Sequence, residues 1–199
     1  MSELQNPERT ENESTLDADR SVCVEVKNLW KVFGARAHEI VADPELRQAT
    51  KEEILAKTGC VVGLRDVSFE VERGEFFVLM GLSGSGKSTL IRCIIRLAEP
   101  TSGSIFINGE DIVPFDDHRL SELRRTTTGM VFQHFGLLPH RSVRDNVAYG
   151  LKVRGVPLEE RDERAHIYIE KVGLKGWENH LPAALSGGSV PEMGFQLVM

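Results

Sequence analysis

Three observations predict an α/β fold with a mostly parallel core. A continuous apolar run, "FFVLM" at 76–80, has the composition of a strand covered on both faces. It enters a glycine-rich turn, "GLSGSGKST" at 81–89, which enters "LIRCIIRLAEP", whose apolar residues recur at helical spacing until Pro100. A second apolar run, "GMVFQ" at 129–133, follows further on. Strand, glycine loop, helix and strand in this order are the signature of an α/β core.

The elements follow in chain order. Residues 1–20, "MSELQNPERTENESTLDADR", are polar and acidic and read as a disordered tail; without a basic start or apolar centre they are not a secretory signal. From Ser21 the stretch "VCVEV" alternates as a strand does. After "KVFG" (31–34) a polar insert runs to Cys60 (34–60), and within it Thr50 and Glu53 have capping-box spacing ahead of Ile54-Leu55, with Gly59 as the stop. The insert therefore carries a short helix. "VVGLRDVSFEVERGE" (61–75) alternates again and ends at the turn residue Gly74. "GSIFINGEDI" is a strand turning at Asn108-Gly109. Residues 118–125, 143–154 and 158–172 read as helices, Gly155 and Pro157 separating the last two; the region from about 140 to 185 is then a helical subdomain.

Composition limits the function classes. The 199 residues carry a net charge of −6 and are 41% apolar, so the chain has enough core for one domain and no overall basic balance suited to nucleic acid. The three cysteines lie far apart, without C-x-x-C or Cys/His ligand spacing, which fits a reducing compartment. His134 and His140 are too isolated to predict a metal site. No run approaches the ~18 apolar residues of a membrane helix. A soluble intracellular protein is expected, reaching a membrane only through a partner.

The chemistry concentrates in Gly81-Leu82-Ser83-Gly84-Ser85-Gly86-Lys87-Ser88, which matches G-x-x-x-x-G-K-[ST] throughout. Glycines let such a loop curl until its backbone N–H groups face phosphate oxygens, and the following helix adds its positive end. Lys87 is the expected partner of the β- and γ-phosphates, Ser88 of Mg²⁺, and Thr89 of the α-phosphate. A P-loop kinase or GTPase is disfavoured, because neither an N-K-x-D base-recognition motif nor a lid-like arginine cluster follows.

Together with "GMVFQHFGLLPHRSVRDNV" (129–147) and "LSGG" (185–188), the stretch 81–112 resembles the ATP-binding subunit of an ABC transporter. The insert and "GLRDVSFEVERGEFFVLMGLSGSGKST" are similar to the glycine betaine/proline (quaternary amine) importers of that family, over about residues 22 to 188. The resemblance implies a P-loop ABC ATPase core (21–188) with an antiparallel β subdomain and a helical subdomain. It makes Phe33 the aromatic that stacks on adenine, Trp30 being the neighbouring alternative. Gln133 becomes the residue that meets Mg²⁺ and the attacking water, and with Lys87 it is the catalytic candidate. Ser186, Gly187 and Gly188 would bind the γ-phosphate across a dimer. Implied partners are a second ATPase subunit, a transmembrane permease subunit and, indirectly, a periplasmic or extracellular substrate-binding protein; the implied location is the cytoplasmic face of the membrane. In such importers other subunits handle the betaine or proline.

After Gly188 the family continues with a helix, an apolar strand ending in Asp-Glu and a later switch histidine, whereas here "SVPEMGFQLVM" (189–199) follows. Pro191 falls inside the first turns of the expected signature helix, where it removes an N–H and clashes with the preceding turn. The expectation is a truncated or frame-shifted ATPase that lacks the C-terminal part of its core and hydrolyses ATP poorly. The alternative is a non-catalytic nucleotide-binding remnant that competes for the transporter's coupling surface through residues 133 to 146.

Overall fold

The computed structural model describes residues 21–131 and 136–185. The chain divides into two compact units, 1–116 and 117–199.

The first unit is built on a four-stranded sheet in the order β2-β1-β3-β4. β1 (Val22–Phe33) pairs antiparallel with β2 (Val61–Glu72), from Val22 opposite Glu72 to Phe33 opposite Val61. Its other edge pairs with β3 (Ser102–Ile107), which forms a hairpin with β4 (Glu110–Asp111). The turn falls at Asn108 and Gly109, both left-handed with φ of 50° and 81°, the backbone that Asn-Gly supplies at low steric cost. This sheet is the antiparallel β subdomain that the resemblance implies.

The insert is more helical than its sequence suggests. Besides the expected helix it holds α1 (Ala37–Ala42) and α2 (Pro44–Gln48), joined at Asp43. Asp43 ends the first and caps the second: its Oδ1 accepts from the amides of Glu45 and Leu46 at 2.8 and 3.3 Å, while Pro44 fits the first turn. α3 (Lys51–Thr58) has the full capping box, Glu53 N–H donating to Thr50 Oγ1 and Thr50 N–H to the Glu53 carboxylate, and it stops at left-handed Gly59. Ile40 and Ile54 point inward from these helices and pack with Trp30 and Val32 of β1, Val62 of β2 and Cys60 just before it.

α4 (Lys87–Ile94) follows the glycine loop and buries Leu90 and Cys93. Just after it, Arg96 is a buried cation: its guanidinium donates to both carboxylate oxygens of Glu99, to Ile112 O at 2.5 Å and to Val113 O. Those acceptors offset the cost of taking the charge out of water.

The second unit contains α5 (Asp117–Thr126), α6 (Val143–Val147), α7 (Tyr149–Val153), α8 (Leu158–Lys171) and α9 (Pro182–Leu185). The expected helix 143–154 is broken at Ala148. Val143, Ile169, Leu174 and Leu185 make its core. Asn146 is nearly buried and holds the segment before α6 in place. Its Oδ1 accepts from Leu138 N–H at 2.8 Å, and its Nδ2 donates to the carbonyls of Leu138, Arg141 and Ser142.

Two expected strands differ. Residues 76–80 form no strand and no ladder, and Phe76 and Met80 are 92% and 84% exposed. Of the run 129–133, residues 129–131 form no strand and the remainder lies outside the described residues. Every described ladder is antiparallel, so the expected parallel core is not formed among the described residues. A helix closes its hydrogen bonds within itself, whereas a parallel strand needs a neighbour to complete each bond. Among the described residues no strand pairs with 76–80. No helix among the described residues is long and apolar enough to cross a membrane.

Candidate functional site: the phosphate loop and its aromatic wall

Residues 81–86 form the loop and Lys87 begins α4. Ser85 N–H donates to Leu82 O at 3.2 Å, tightening the turn. The Lys87 ammonium reaches back over the loop and donates to Gly81 O at 2.6 Å and Leu82 O at 2.7 Å, with Ser85 Oγ at 3.5 Å. One cation thus fixes the curl of the loop from inside. Ser88 and Ser83 are exposed, and Thr89 is half-buried.

Gly86 is the point where the loop is pressed against the sheet. Its φ is +103°, and a Cβ there would stand 2.5 Å from Gly63 O and 3.1 Å from Leu64 Cδ2. Neither the backbone angle nor the space admits a side chain. Gly63 in turn meets Phe33: a Cβ on Gly63 would lie 2.8 Å from Phe33 Cε2 and 3.4 Å from Thr89 Cγ2. The Phe33 ring is 45% exposed and stands at the start of α4, with Lys31 Nζ 4.9 Å from its centroid. Lys31 is itself anchored, donating to Glu99 O at 2.6 Å.

The structure therefore gathers Phe33, residues 81–86, Lys87, Ser88 and Thr89 at one place. Trp30, the alternative adenine partner, is instead buried among the insert residues. Gln133, Ser186, Gly187 and Gly188 lie outside the described residues. Gly63 and Lys31 were not singled out by sequence reasoning. Glycine in the middle of an alternating strand is the signal that could have found Gly63, because such a glycine marks a close approach. Cys93, on the buried face of α4, is held above its ordinary pKa mainly by burial, which disfavours the thiolate.

The arrangement fits a nucleoside triphosphate. Backbone N–H groups around a curled glycine loop, a helix start and one ammonium are a donor set for phosphate oxygens, and a half-exposed aromatic ring offers a stacking face. Ser88 is exposed at the first turn of α4, beside the loop.

Comparison with known proteins agrees. The sequence profile of the ABC transporter family matches residues 64–195. The chain is 45% identical over 175 residues to the glycine betaine/proline betaine transport ATP-binding protein ProV of Escherichia coli K12, covering 87% of this chain and 43% of that protein. It is 45% identical over 172 residues to the glycine betaine/carnitine transport ATP-binding protein GbuA of Listeria monocytogenes, covering 86% and 43%. It is also 42% identical over 171 residues to the trimethylamine N-oxide transport ATP-binding protein TmoW of Pelagibacter ubique, covering 86% and 50%. The chain thus spans half or less of these relatives' lengths. Its fold matches the ATP-binding cassette MJ0796 in a dimeric post-hydrolysis state bound to ADP and Pi, with a TM-score of 0.67 and 30% identity over 87% of this chain and 67% of that one. A P-loop backed by a β-subdomain aromatic, a cassette fold and the profile match lead to one assignment: the chain belongs to the ABC transporter family.

Proposed function

We propose that this chain is the ATP-binding part of an ABC importer subunit that couples ATP binding and hydrolysis to uptake of glycine betaine/proline-type osmoprotectants. The observation that carries ATP binding is the packing of Phe33 over Gly63 at the start of α4, beside the Lys87-braced loop. It puts an aromatic face and a phosphate cradle on one short path, as an adenine nucleotide requires. The importer class and quaternary-amine substrate are supported by the likeness to ProV and GbuA. Lys87 neutralises phosphate charge, Ser88 takes Mg²⁺, Thr89 donates to the α-phosphate and Gln133 orients the attacking water. Ser186, Gly187 and Gly188 complete the site of a second copy. A transmembrane permease on the cytoplasmic face of the membrane is the mechanical partner, served by a substrate-binding protein.

Calorimetric titration with Mg-ATP tests the reading at its base. The 199-residue chain binds, Lys87→Ala weakens binding by about tenfold or more, and Phe33→Ala weakens ATP while sparing inorganic pyrophosphate. Equal affinity in all three proteins would overturn it. The substrate class is tested by radiolabelled glycine betaine uptake into cells whose importer carries Lys87→Ala: lost betaine uptake sustains it, and unchanged uptake removes it.

A further inference from the structure

Lys31 and Phe33 are two residues apart on β1, so both side chains leave the same face of the strand. Phe33 is the last residue of β1, and its ring is 45% exposed. Gly63 passes against one edge of that ring, where a Cβ would stand 2.8 Å from Phe33 Cε2 and 3.4 Å from Thr89 Cγ2. A half-exposed ring at a strand end can still turn about its side-chain torsions unless a neighbour also holds its face. Lys31 supplies that neighbour. Its Nζ lies over the ring, 4.9 Å from the centroid and within the range of cation–π attraction.

The ammonium is fixed in turn by a neutral group, Glu99 O, to which it donates at 2.6 Å. The Glu99 carboxylate is engaged elsewhere, accepting from Arg96 Nε at 2.9 Å and Arg96 Nη2 at 2.6 Å. A carbonyl holds a cation in place without cancelling its charge. Lys27, on the same strand, shows the other arrangement: it lies 4.8 Å over the Phe106 ring but pairs with the Glu25 carboxylate at 2.6 Å. The backbone beside Lys31 is pinned to the same segment as its side chain. Thr101 N–H donates to Trp30 O at 2.7 Å, and Val32 N–H donates to Thr101 Oγ1 at 2.9 Å. Residues 99–101 follow α4, which Lys87 opens. Phe33 is thus tied to both sides of α4, its edge beside Thr89 through Gly63 and its face to the segment after the helix through Lys31.

We propose that Lys31 is a positioning residue for nucleotide binding, capping one face of the Phe33 ring and so holding the other ready for adenine. This role rests on the reading of Phe33 as the adenine-stacking ring. Fixing the ring before the base arrives lowers the ordering cost of binding. It also sets the ring at a constant reach from the phosphate loop, because the segment that anchors Lys31 continues the helix that starts at the loop.

Lys31→Met keeps the apolar stem and removes the charge. Calorimetry on the 199-residue chain gives the affinities for Mg-ATP and for inorganic pyrophosphate, and a thermal melt of each variant checks its folding. Lys31→Met is expected to weaken Mg-ATP by about two- to fivefold while pyrophosphate binding stays as it was, and Lys31→Arg restores the ATP affinity. With Phe33→Ala already in place, Lys31→Met has no further effect, because the ring it acts through is gone. If Lys31→Met lowers the melt, Lys31→Gln, which keeps an N–H donor, carries the same test. Equal weakening of ATP and pyrophosphate would make Lys31 a phosphate-attracting charge, and a loss that persists without the ring would make it a direct nucleotide contact. Either result, or an unchanged ATP affinity, overturns the positioning role and leaves the stacking role of Phe33 standing. An ATP affinity that Phe33→Ala leaves unaltered removes the stacking reading, and the role of Lys31 goes with it.

Discussion

Ile54 and Phe76 are large apolar residues of the same unit, one on either side of β2, and they end in opposite surroundings. Ile54, on α3, is fully buried, while Phe76, after β2, is 92% exposed. Around Ile54 every local requirement is met within about ten residues. A threonine and a glutamate close the first turn, a left-handed glycine closes the last, and the one inward side chain lands on Trp30, Val32 and Val62. Around Phe76 no strand pairs with the segment among the described residues, and Phe77 stacks on Phe69 at 4.9 Å. Local hydrogen bonding makes the helix nearly self-sufficient, and the extended segment depends on a neighbour for each bond.

The comparison breaks most directly at Ile54. Ile54→Ala removes a fully buried side chain from a cluster that β1, β2 and the insert share. The expected loss is about 3 kcal/mol of stability, read by urea unfolding with Trp30 emission as the probe. A loss under about 1 kcal/mol would mean that the insert is not packed on the sheet in solution.

That contrast also explains what could be read from the sequence. Thr50, Glu53 and Gly59 announced α3, Asn108-Gly109 announced the hairpin, and Gly81 to Thr89 announced the loop, because each motif satisfies its own backbone within a few residues. α1 and α2 were missed although Asp43-Pro44 is a fair cap-and-start signal; with only five or six residues each, they show no apolar period. The role of Gly63 was hidden because it depends on Phe33, Thr89 and Gly86, which lie far apart in sequence. Phe33 was placed by family likeness and the loop by its own glycine-lysine motif, and their meeting at Gly63 is a finding of the structure. The strand 76–80 was read from composition, which reports suitability for burial and not the presence of a partner.

Asn146 sharpens the comparison from the second unit, since there one side chain does the work of a missing ladder. It satisfies one amide and three carbonyls of an irregular segment while only 8% exposed. Asn146→Ala should cost about 2 kcal/mol and speed amide exchange at Leu138. An unchanged exchange rate at Leu138 would show that this segment is held by something else.

A smaller effect is expected at the cap of α3. Thr50→Ala removes one half of the box and should cost about 1 kcal/mol. The pH dependence follows from Glu53, whose carboxyl lies below its ordinary value of 4.5, first because of the Thr50 backbone N–H and then its hydroxyl. A carboxyl lowered on folding stabilises above its unfolded pKa, and the benefit disappears as pH falls through the folded value. The gap between wild type and Glu53→Gln should therefore be present at neutral pH and close below 4.5, as followed by thermal melts across that range. A gap that widens on acidification would reverse the sign of the argument.

The smallest expected effect belongs to Phe76 and is the most demanding test of the contrast. Phe76→Ser replaces a ring that is 92% exposed, so unfolding free energy should move by no more than about 0.5 kcal/mol. What should change is association, because exposed apolar side chains on an unpaired extended segment invite edge pairing between copies. Light scattering at rising concentration should fall with Phe76→Ser while the melting temperature stays put. If the substitution instead destabilises the chain as Ile54→Ala does, residues 76–80 are packed in solution against a partner segment. The dependence on a neighbour would then already be met within the chain or between its copies, and the two sides of β2 would obey the same rule.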